Sequence, residues 1–576
     1  MVLLSSDQIP WKSNLKILPF FLSWFLCAFG QPARSLSCSF FASILGYALF
    51  WYAIGAISSR RLRACWAGAW FSLVSVVQLS WMLSFEYQGA YILIFHLFCC
   101  LFLGGQFALL EWCVSLSSVC SYPAAFAAAS LWTLFEWSRL FLLCGFTWNP
   151  VGLSLGYSHY PLVLASIFGV YGLSFWVLLT NGAVLLWMRT WHGNRALFVL
   201  ILTGLPFLLG YLREKRIDAQ STPEHLSVAL VQTSLYPEQK DPHLDPSSFI
   251  YPLQQWIFVL DSLEKVPSSL DLIALPEVAV PFGAYNPIYS WRSIRDLWQC
   301  YFGDEASKRL PNPALYGGEK VHGQWHVTNR YVAQAVANQY DAELILGLDH
   351  FDSKRAMRFN GAFHFRPNQV FASCYHKCIL VPGGEYLPFS WLRGLAAWYG
   401  IVGTYEHGEE PGVFEGRVPW GMSICYEETH SYFLRQTRQM GAKAFINLSN
   451  DAWFPDGSLA WQHFHHGRIR GVENGVPLFR ATNTGLTAAV DALGRVQRSL
   501  PLSYKNERIA GALFVRMPLC TSPTIYTRFG DLLIVSIASI GCGMFWFCTF
   551  CKSKATWRKA LAEKIAVLYL RMKSYE

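Results

Sequence analysis

Charge is scarce in this chain. Only 14% of its 576 residues are Asp, Glu, Lys or Arg, against about 25% in an ordinary soluble protein. That shortfall excludes a surface that is solvated all round. Nucleotide-binding signatures are also missing: no GxGxxG or Walker sequence follows any strand-like run, so no nucleotide cofactor is indicated. There is no internal repeat. The polar segment carries no basic stripe with interleaved aromatics, which argues against a nucleic-acid partner despite a net charge of +9. Five of the 16 cysteines (Cys300, Cys374, Cys378, Cys425 and Cys520) fall in the polar segment. No two of them have CxxC spacing, so a zinc site is not signalled. Five is odd, so at least one of them has no partner among the others. The remaining cysteines lie in or beside apolar runs and read as small hydrophobes.

What is present in excess is apolar: 53% of residues are hydrophobic and 16% aromatic. A bilayer core needs about 20 apolar residues per helix. Runs of that kind lie at about 15–33, 37–58, 66–84, 91–115, 123–144, 162–188, 196–212 and 531–551. The first is followed at once by others, so it reads as an uncleaved helix rather than a signal peptide. Basic residues in short loops set orientation. Lys12, Lys16, Arg60, Arg61, Arg63, Arg189, Arg195, Lys552, Lys554, Arg558 and Lys559 all fall on one side if the N-terminus is cytoplasmic. Arg213, Lys215 and Arg216 disagree, but they open a long segment, where the rule weakens. The expected organisation is a membrane α-helical bundle over 1–216 with seven spans, an extracytoplasmic domain over 217–526 and an eighth span over 527–552. A basic amphipathic tail follows over 553–576, with Trp557, Leu561, Ile565 and Leu568 at near-helical spacing.

Glu136 and Arg139 lie within the apolar LWTLFEWSRLF. Ionisable groups at this depth are paired or functional, and i,i+3 spacing suits a structural ion pair or a polar lining for a headgroup. The following FTWNPVGLSLGYSHYP suits an interfacial anchor. In the polar segment, short apolar runs at 226–233, 271–275, 343–348, 369–372, 376–381, 418–425 and 443–448 alternate with helical patterns such as 325–340 and 458–475. Near-continuous apolar strands imply sheets buried on both faces, hence α/β layering. The segment 284–324 reads as a long insertion near the site.

Three segments place reactive groups at or near strand ends, where active groups collect in α/β sheets. LIALPEVAVP places Glu277 just past a strand; YHKCILVPGGEYLPF carries Lys377, with Glu385 after a Gly-Gly turn; WGMSICYEE places Cys425 at a strand end. A thiol needs a base or cation to act as a nucleophile. A glutamate can take and return the proton. A lysine ammonium, with backbone N–H groups beginning at Tyr426, can stabilise an oxyanion. Taken singly, each has a plain alternative: Cys425 as buried filler, Glu277 as a solvated turn residue, Lys377 as an exposed edge residue, with Cys374 and Cys378 as rival thiols. His463, His465 and His466 do not make the HExxH pattern and read as a helix face near the site rather than a metal site.

Taken together and in this order, these segments resemble the nitrilase (carbon–nitrogen hydrolase) superfamily. More closely they resemble the apolipoprotein N-acyltransferase family. The resemblance covers nearly the whole chain and includes the seven-plus-one span layout, ALVQT, LPEVAVP, HKCILVPGGEYLPF, SICYEE, LSNDAWF (448–454) and a helix taken to run over 462–485. It implies a nitrilase-like αββα sandwich, with Glu277 as general base, Lys377 as oxyanion stabiliser and Cys425 as acylated nucleophile. Glu385 would support the lysine, and Tyr426 and Glu427 would be the Tyr-Glu pair after the nucleophile. It implies no cofactor or metal. The donor would be a phospholipid, the acceptor a diacylglyceryl apolipoprotein, and the location the bacterial inner membrane with the catalytic domain on the periplasmic side. Gly383 departs from the family, which usually has an aromatic there, and the NPVG loop is longer than expected. The apolar segments 281–300 and 386–401 are candidates to admit acyl chains, or ordinary packed loops. A membrane-tethered amidase and a catalytically silent envelope scaffold are the competing readings.

Overall fold

The computed structural model describes residues 15–142, 144–219, 224–386, 405–455, 457–502 and 509–551. The amphipathic tail expected over 553–576, Lys12 and the basic residues after 551 lie outside the described residues, as does 387–401 of the second acyl-chain candidate. The chain builds an α-helical bundle from both of its ends and an α/β sandwich from its middle.

Each of the eight apolar runs contains helix among the described residues. Among the described residues, five helices are long and apolar enough to cross a membrane: Leu36–Ile54, Ile92–Val114, Pro161–Thr190, Gly193–Asp218 and Leu532–Cys551. The other three are Ile17–Ala28, Arg60–Gln78 and Tyr122–Ser138. Ile17–Ala28 and Tyr122–Ser138 are shorter, and Arg60–Gln78 opens on three arginines. Small residues let helices approach in lipid. At the contact of Arg60–Gln78 with Ile92–Val114, a Cβ on Gly104 would collide with the Gly68 carbonyl and the Ser72 side chain. Leu36–Ile54 contains a π-helical stretch, Ala42–Gly46. Asn181 from the facing helix supplies its missing partners, accepting from Tyr47 N and Ala48 N at 3.0 Å and donating to Ser43 O at 2.9 Å. Irregular backbone survives at membrane depth only with such satisfaction.

Glu136 and Arg139 do not form the expected ion pair among the described residues. The α-helix ends at Ser138 and Arg139 opens a 3₁₀ turn, and each side chain finds another partner. Glu136 Oε1 instead accepts from Trp132 Nε1 at 2.7 Å and Val151 N at 2.8 Å, while Arg139 Nε donates to Gln106 Oε1 at 2.8 Å.

The strands run β1 (His225–Gln232), β2 (Leu272–Ala274), β3 (Tyr289–Ser290), β4 (Glu319–Val321), β5 (Gln324–Val327), β6 (Glu343–Asp352), β7 (Met357–Phe365), β8 (Ser373–His376), β9 (Val413–Phe414), β10 (Trp420–Ile424), β11 (Ala444–Ser449), β12 (Leu478–Thr482), β13 (Ala488–Val490), β14 (Val496–Ser499) and β15 (Gly511–Pro518). One six-stranded sheet has the order β15-β1-β2-β6-β7-β8, the other β14-β13-β12-β11-β10-β9. Each has three parallel central strands and antiparallel flanks. Alternation decides the layering. Leu226, Val228 and Leu230 of β1 share a core with Trp420, Met422 and Ile424 of β10, between the sheets. Ala229 and Val231 face the other way, onto helices Pro252–Leu263 and Asn329–Tyr340. Helices Ser431–Gln439 and Gly457–Asn474 cover the second sheet. The result is the four-layer αββα sandwich expected.

Several local expectations are corrected. Residues 369–372 are irregular chain after a turn at 367–368, and β8 begins at Ser373 and ends at His376, so 376–381 is not a strand and Lys377 lies just past one. Helix 325–340 begins only at Asn329, capped by Thr328 Oγ1, because β5 occupies 324–327. The helix taken to span 462–485 stops at Asn474. Gly475 is left-handed at φ +63 and Pro477 follows, so the chain leaves the helix and enters β12. The insertion 284–324 packs largely away from the site: Tyr289, Ile294 and Trp298 are buried in the outer helical layer.

Candidate active site

The three reactive side chains reach one place from both sheets. β2 ends at Ala274, and Pro276-Glu277-Val278 crosses over Gly347 of β6. Ala279 N donates to Gly347 O at 2.8 Å and Gly347 N to Pro276 O at 3.1 Å. A Cβ on Gly347 would come within 2.6 Å of Glu277 Cα, so only glycine lets the segment pass. Val278 sits at φ +42, a strained conformation for a β-branched residue. Buried Lys240 pins it by donating to Val278 O at 2.8 Å. Burial pulls the Lys240 ammonium down to about 7, with Glu277 opposing.

Lys377 is almost completely buried. Its Nζ lies 2.8 Å from Glu385 Oε1 and 3.2 Å from Glu277 Oε1. Asn360 Nδ2 donates to the same two oxygens, at 2.7 Å to Glu277 and 3.1 Å to Glu385. Burial alone would lower the Lys377 pKa, but the two carboxylates override it and hold the ammonium charged. Burial pushes the Glu277 carboxyl above the usual carboxylate range; Lys377 opposes this and Glu385 adds to it. The turn holding Glu385 is closed by Val381 N donating to Glu385 Oε2 at 2.8 Å. Gly383 stands in it at φ +79, which glycine adopts without strain.

Cys425 follows β10 at φ +50, opening a 3₁₀ turn through Thr429. A left-handed cysteine at a strand end is held there by its surroundings. Its carbonyl accepts from Asn447 Nδ2 at 3.3 Å and lies 3.1 Å from His463 Nε2. Burial pushes the Cys425 thiol well up, Glu277 adds to this, and Lys377 opposes it. Burial and Glu277 thus favour the neutral thiol over the thiolate. Glu427 joins the two halves of the site. Its Oε1 accepts from Tyr375 OH at 2.7 Å, Cys378 N at 2.6 Å and Ile379 N at 3.1 Å, and its Oε2 accepts from Ile424 N at 2.7 Å. One carboxylate thus ties the backbone beside Lys377 to the backbone beside Cys425.

Tyr426 points into the helical bundle. Its ring stacks on Trp148 at 5.8 Å and its hydroxyl donates to Gly145 O. Thr147 Oγ1 meets Thr429 Oγ1 at 2.6 Å. The FTWNPVG loop, expected as an interfacial anchor, therefore packs directly against the Cys425 turn.

Sequence reasoning missed Lys240, Asn360, Glu428, Asp451 and Arg480. The last three form a buried ionic network with His463: Arg480 Nε to Glu428 Oε1 at 2.7 Å, and His463 Nδ1 to Asp451 Oδ1 at 2.9 Å. Burial would raise Asp451, but His463 and Arg480 hold it at about 2. Cys425, Asp451 and His463 place ligating atoms within 4.8 Å of one another. The Arg480 guanidinium in the same network disfavours a cation there. Lys240 and Asn360 are polar positions without a telling spacing, whereas Glu428 closes the SICYEE motif, Asp451 lies within LSNDAWF and Arg480 within 462–485. Cys374, Cys378 and Cys425 are free thiols.

Comparison with known proteins follows the same division of the chain. Residues 228–510 match the carbon-nitrogen hydrolase family and residues 23–183 the apolipoprotein N-acyltransferase N-terminal domain. An apolipoprotein N-acyltransferase of Chlamydia muridarum (strain MoPn / Nigg) is 30% identical over 541 residues, covering 90% of this chain and 95% of that protein. One from Haemophilus ducreyi (strain 35000HP / ATCC 700724) is 28% identical, covering 81% and 80%. Among solved structures, Saccharomyces cerevisiae Nit3, of the nitrilase superfamily, aligns with 52% of this chain and 92% of its own at 17% identity and a TM-score of 0.33. The chain belongs to the apolipoprotein N-acyltransferase family.

Proposed function

We propose that this membrane acyltransferase moves an acyl chain from a phospholipid, through a thioester on Cys425, to the α-amino group of the diacylglyceryl-cysteine of an apolipoprotein. The family membership supports the reaction class. The observation that carries the reading is the position of the site: the turn after Cys425 rests on the bundle through Tyr426 and Trp148. A site built onto the bundle suits two substrates that are anchored in a bilayer. A tethered amidase for a small amide needs no such junction.

The chemistry follows from the protonation states. Glu277 takes the Cys425 proton as sulfur attacks the ester carbonyl carbon. The Lys377 ammonium stabilises the oxyanion, and Glu385 and Asn360 keep that ammonium in place. The C–O bond breaks, Glu277 returns the proton to the leaving glycerol oxygen, and a lysophospholipid departs. The amine of the lipoprotein then attacks the thioester carbonyl, and its proton passes to Glu277. The C–S bond breaks, and the proton goes back to the Cys425 sulfur. Glu427 holds the backbone beside Lys377 to that beside Cys425 rather than reacting.

The location proposed is the bacterial inner membrane, with the sandwich on the periplasmic face and 1–216, 217–526 and 527–552 as the working divisions. Two sets of contacts support it. Arg60 bonds the Trp112 carbonyl and Arg189 the Ser117 carbonyl, gathering those arginines at one end of the bundle. At the other end, Trp81 donates to Gln462 at 3.0 Å and Trp148 meets Tyr426. Basic ends stay cytoplasmic, so the sandwich lies opposite.

The test is a reconstituted reaction of purified protein, acyl-labelled phospholipid and a synthetic diacylglyceryl lipopeptide. The expected product is the lipopeptide with one further acyl chain in amide linkage. Release of labelled fatty acid with no transfer to the amine would establish a hydrolase instead.

A further inference from the structure

The outer face of the first sheet carries a second group of reactive side chains, unused by the chemistry at Cys425. β6 and β8 both flank β7, so their backbones lie about 9–10 Å apart. At one point their side chains meet above β7. His350 Nδ1 lies 2.7 Å from His376 Nε2. Cys374, two residues before His376, shares its face. One ligating atom from each of the three lies within 4.8 Å of the others.

The surroundings make this a shaped site. Gly361 of β7 pairs with Leu348 on one side and His376 on the other. A Cβ there would come within 3.2 Å of the Phe363 ring and 3.6 Å of Cys374 Sγ, so the glycine leaves the floor open. Phe359 stacks on His376 at 4.2 Å and 11°, and the Tyr285 ring stands 5.2 Å from His350. These rings fix the two imidazoles toward each other. Cys374 is exposed, which provides an entry path.

We propose that His350, Cys374 and His376 bind a single thiophilic divalent ion of the Zn²⁺ type, with three protein ligands and one open position. Two imidazoles and a thiolate are a donor set for such ions. At Zn–N distances of about 2.0–2.1 Å, tetrahedral ligand nitrogens stand roughly 3.3 Å apart. The two rings need to part by only about 0.6 Å to admit the metal. Bound there, the ion ties β6 to β8 across β7. Lys377 follows His376 directly and points to the opposite face, so the clamp fixes the strand end that carries Lys377 to Glu277. This site does not depend on the acyl-transfer reading.

The experiment is metal titration of the full-length, chelator-treated protein in detergent, with Zn²⁺ by calorimetry and Co²⁺ as an optical probe. One equivalent is expected, with a thiolate-to-cobalt charge-transfer band. Both should vanish in Cys374→Ser/His376→Ala and persist in Cys425→Ala. No stoichiometric uptake by the wild type overturns the proposal. So does uptake that survives in the double variant and is lost in Cys425→Ala, which would place the metal beside Asp451 and His463. Should the double variant misfold, X-ray absorption of the zinc-loaded wild type decides: one sulfur and two imidazole nitrogens are expected, and a shell without sulfur contradicts the site.

Discussion

Cys425 is a buried thiol whose ionisation is opposed by its burial and by Glu277. On the proposed route it does not wait as a thiolate, and Glu277 would remove its proton during attack. Glu277→Gln keeps the hydrogen bond from Asn360 but cannot take the proton. The acyl-enzyme should then form about 10²–10⁴-fold more slowly in single turnover; an unchanged rate would assign the base elsewhere. Lys240 gives a different readout. Burial moves its pKa from 10.5 to about 7. The folded value lies below the unfolded one, so between about pH 7 and 10 the unfolded chain holds more protons and stability rises with pH, by up to about 1.4 kcal/mol per unit. Lys240→Met should remove that slope in thermal-midpoint profiles; parallel profiles would contradict a buried titrating lysine. Glu277, Lys377, Glu385 and Cys425 could be singled out in the sequence because each lies within a distinctive motif. Lys240 and Asn360 could not. Each is an ordinary polar residue until the fold brings it against Val278 O or between two carboxylates.

At the scale of elements, the site depends on how Pro276-Glu277-Val278 crosses β6. Gly347→Ala puts a methyl within 2.6 Å of Glu277 Cα and Val278 N. Both are backbone atoms, so the crossing segment must move and the Glu277–Lys377 contact must open. A misplacement of this order is expected to lower the acylation rate about 100-fold while the far-ultraviolet circular dichroism stays native. Native kinetics would show that the segment has slack. The apolar runs that became β1, β2, β6, β10 and β11 could be read from the sequence, since parallel strands buried on both faces are nearly uninterrupted. β7 could not: MRFNGAFHF interleaves Arg358, Asn360 and His364 with its apolar residues, and those polar groups find partners only in the folded sheet. β12 was hidden in an expected helix, because Gly475 and Pro477 act on the backbone while the apolar content runs on unchanged.

For the whole molecule, helix Gly457–Asn474 belongs to both halves. Ala460 and Phe464 face the sandwich core, whereas Leu459, Ile469 and Val472 belong to the bundle core. Glu473 Oε1 accepts from Val170 N at 2.8 Å, and Arg468 Nη1 donates to Gly156 O at 2.7 Å. The sandwich cut out alone would expose that apolar stripe and strand these charges. A fragment over 224–519 is expected to aggregate without detergent on size-exclusion chromatography; a monodisperse soluble fragment would show the halves to be independent. Hydropathy and loop charge announced the bundle, but nothing in them announced that FTWNPVG would brace the Cys425 turn, since that contact joins residues nearly 280 positions apart. One measurement tests the thioester on Cys425 most directly: full-length protein incubated with acyl-labelled phospholipid in the absence of acceptor. It predicts a hydroxylamine-sensitive acyl adduct on the Cys425 peptide, absent in Cys425→Ala and discharged by a diacylglyceryl lipopeptide. A folded protein with no such adduct, or one that still transfers acyl chains as Cys425→Ala, would contradict it.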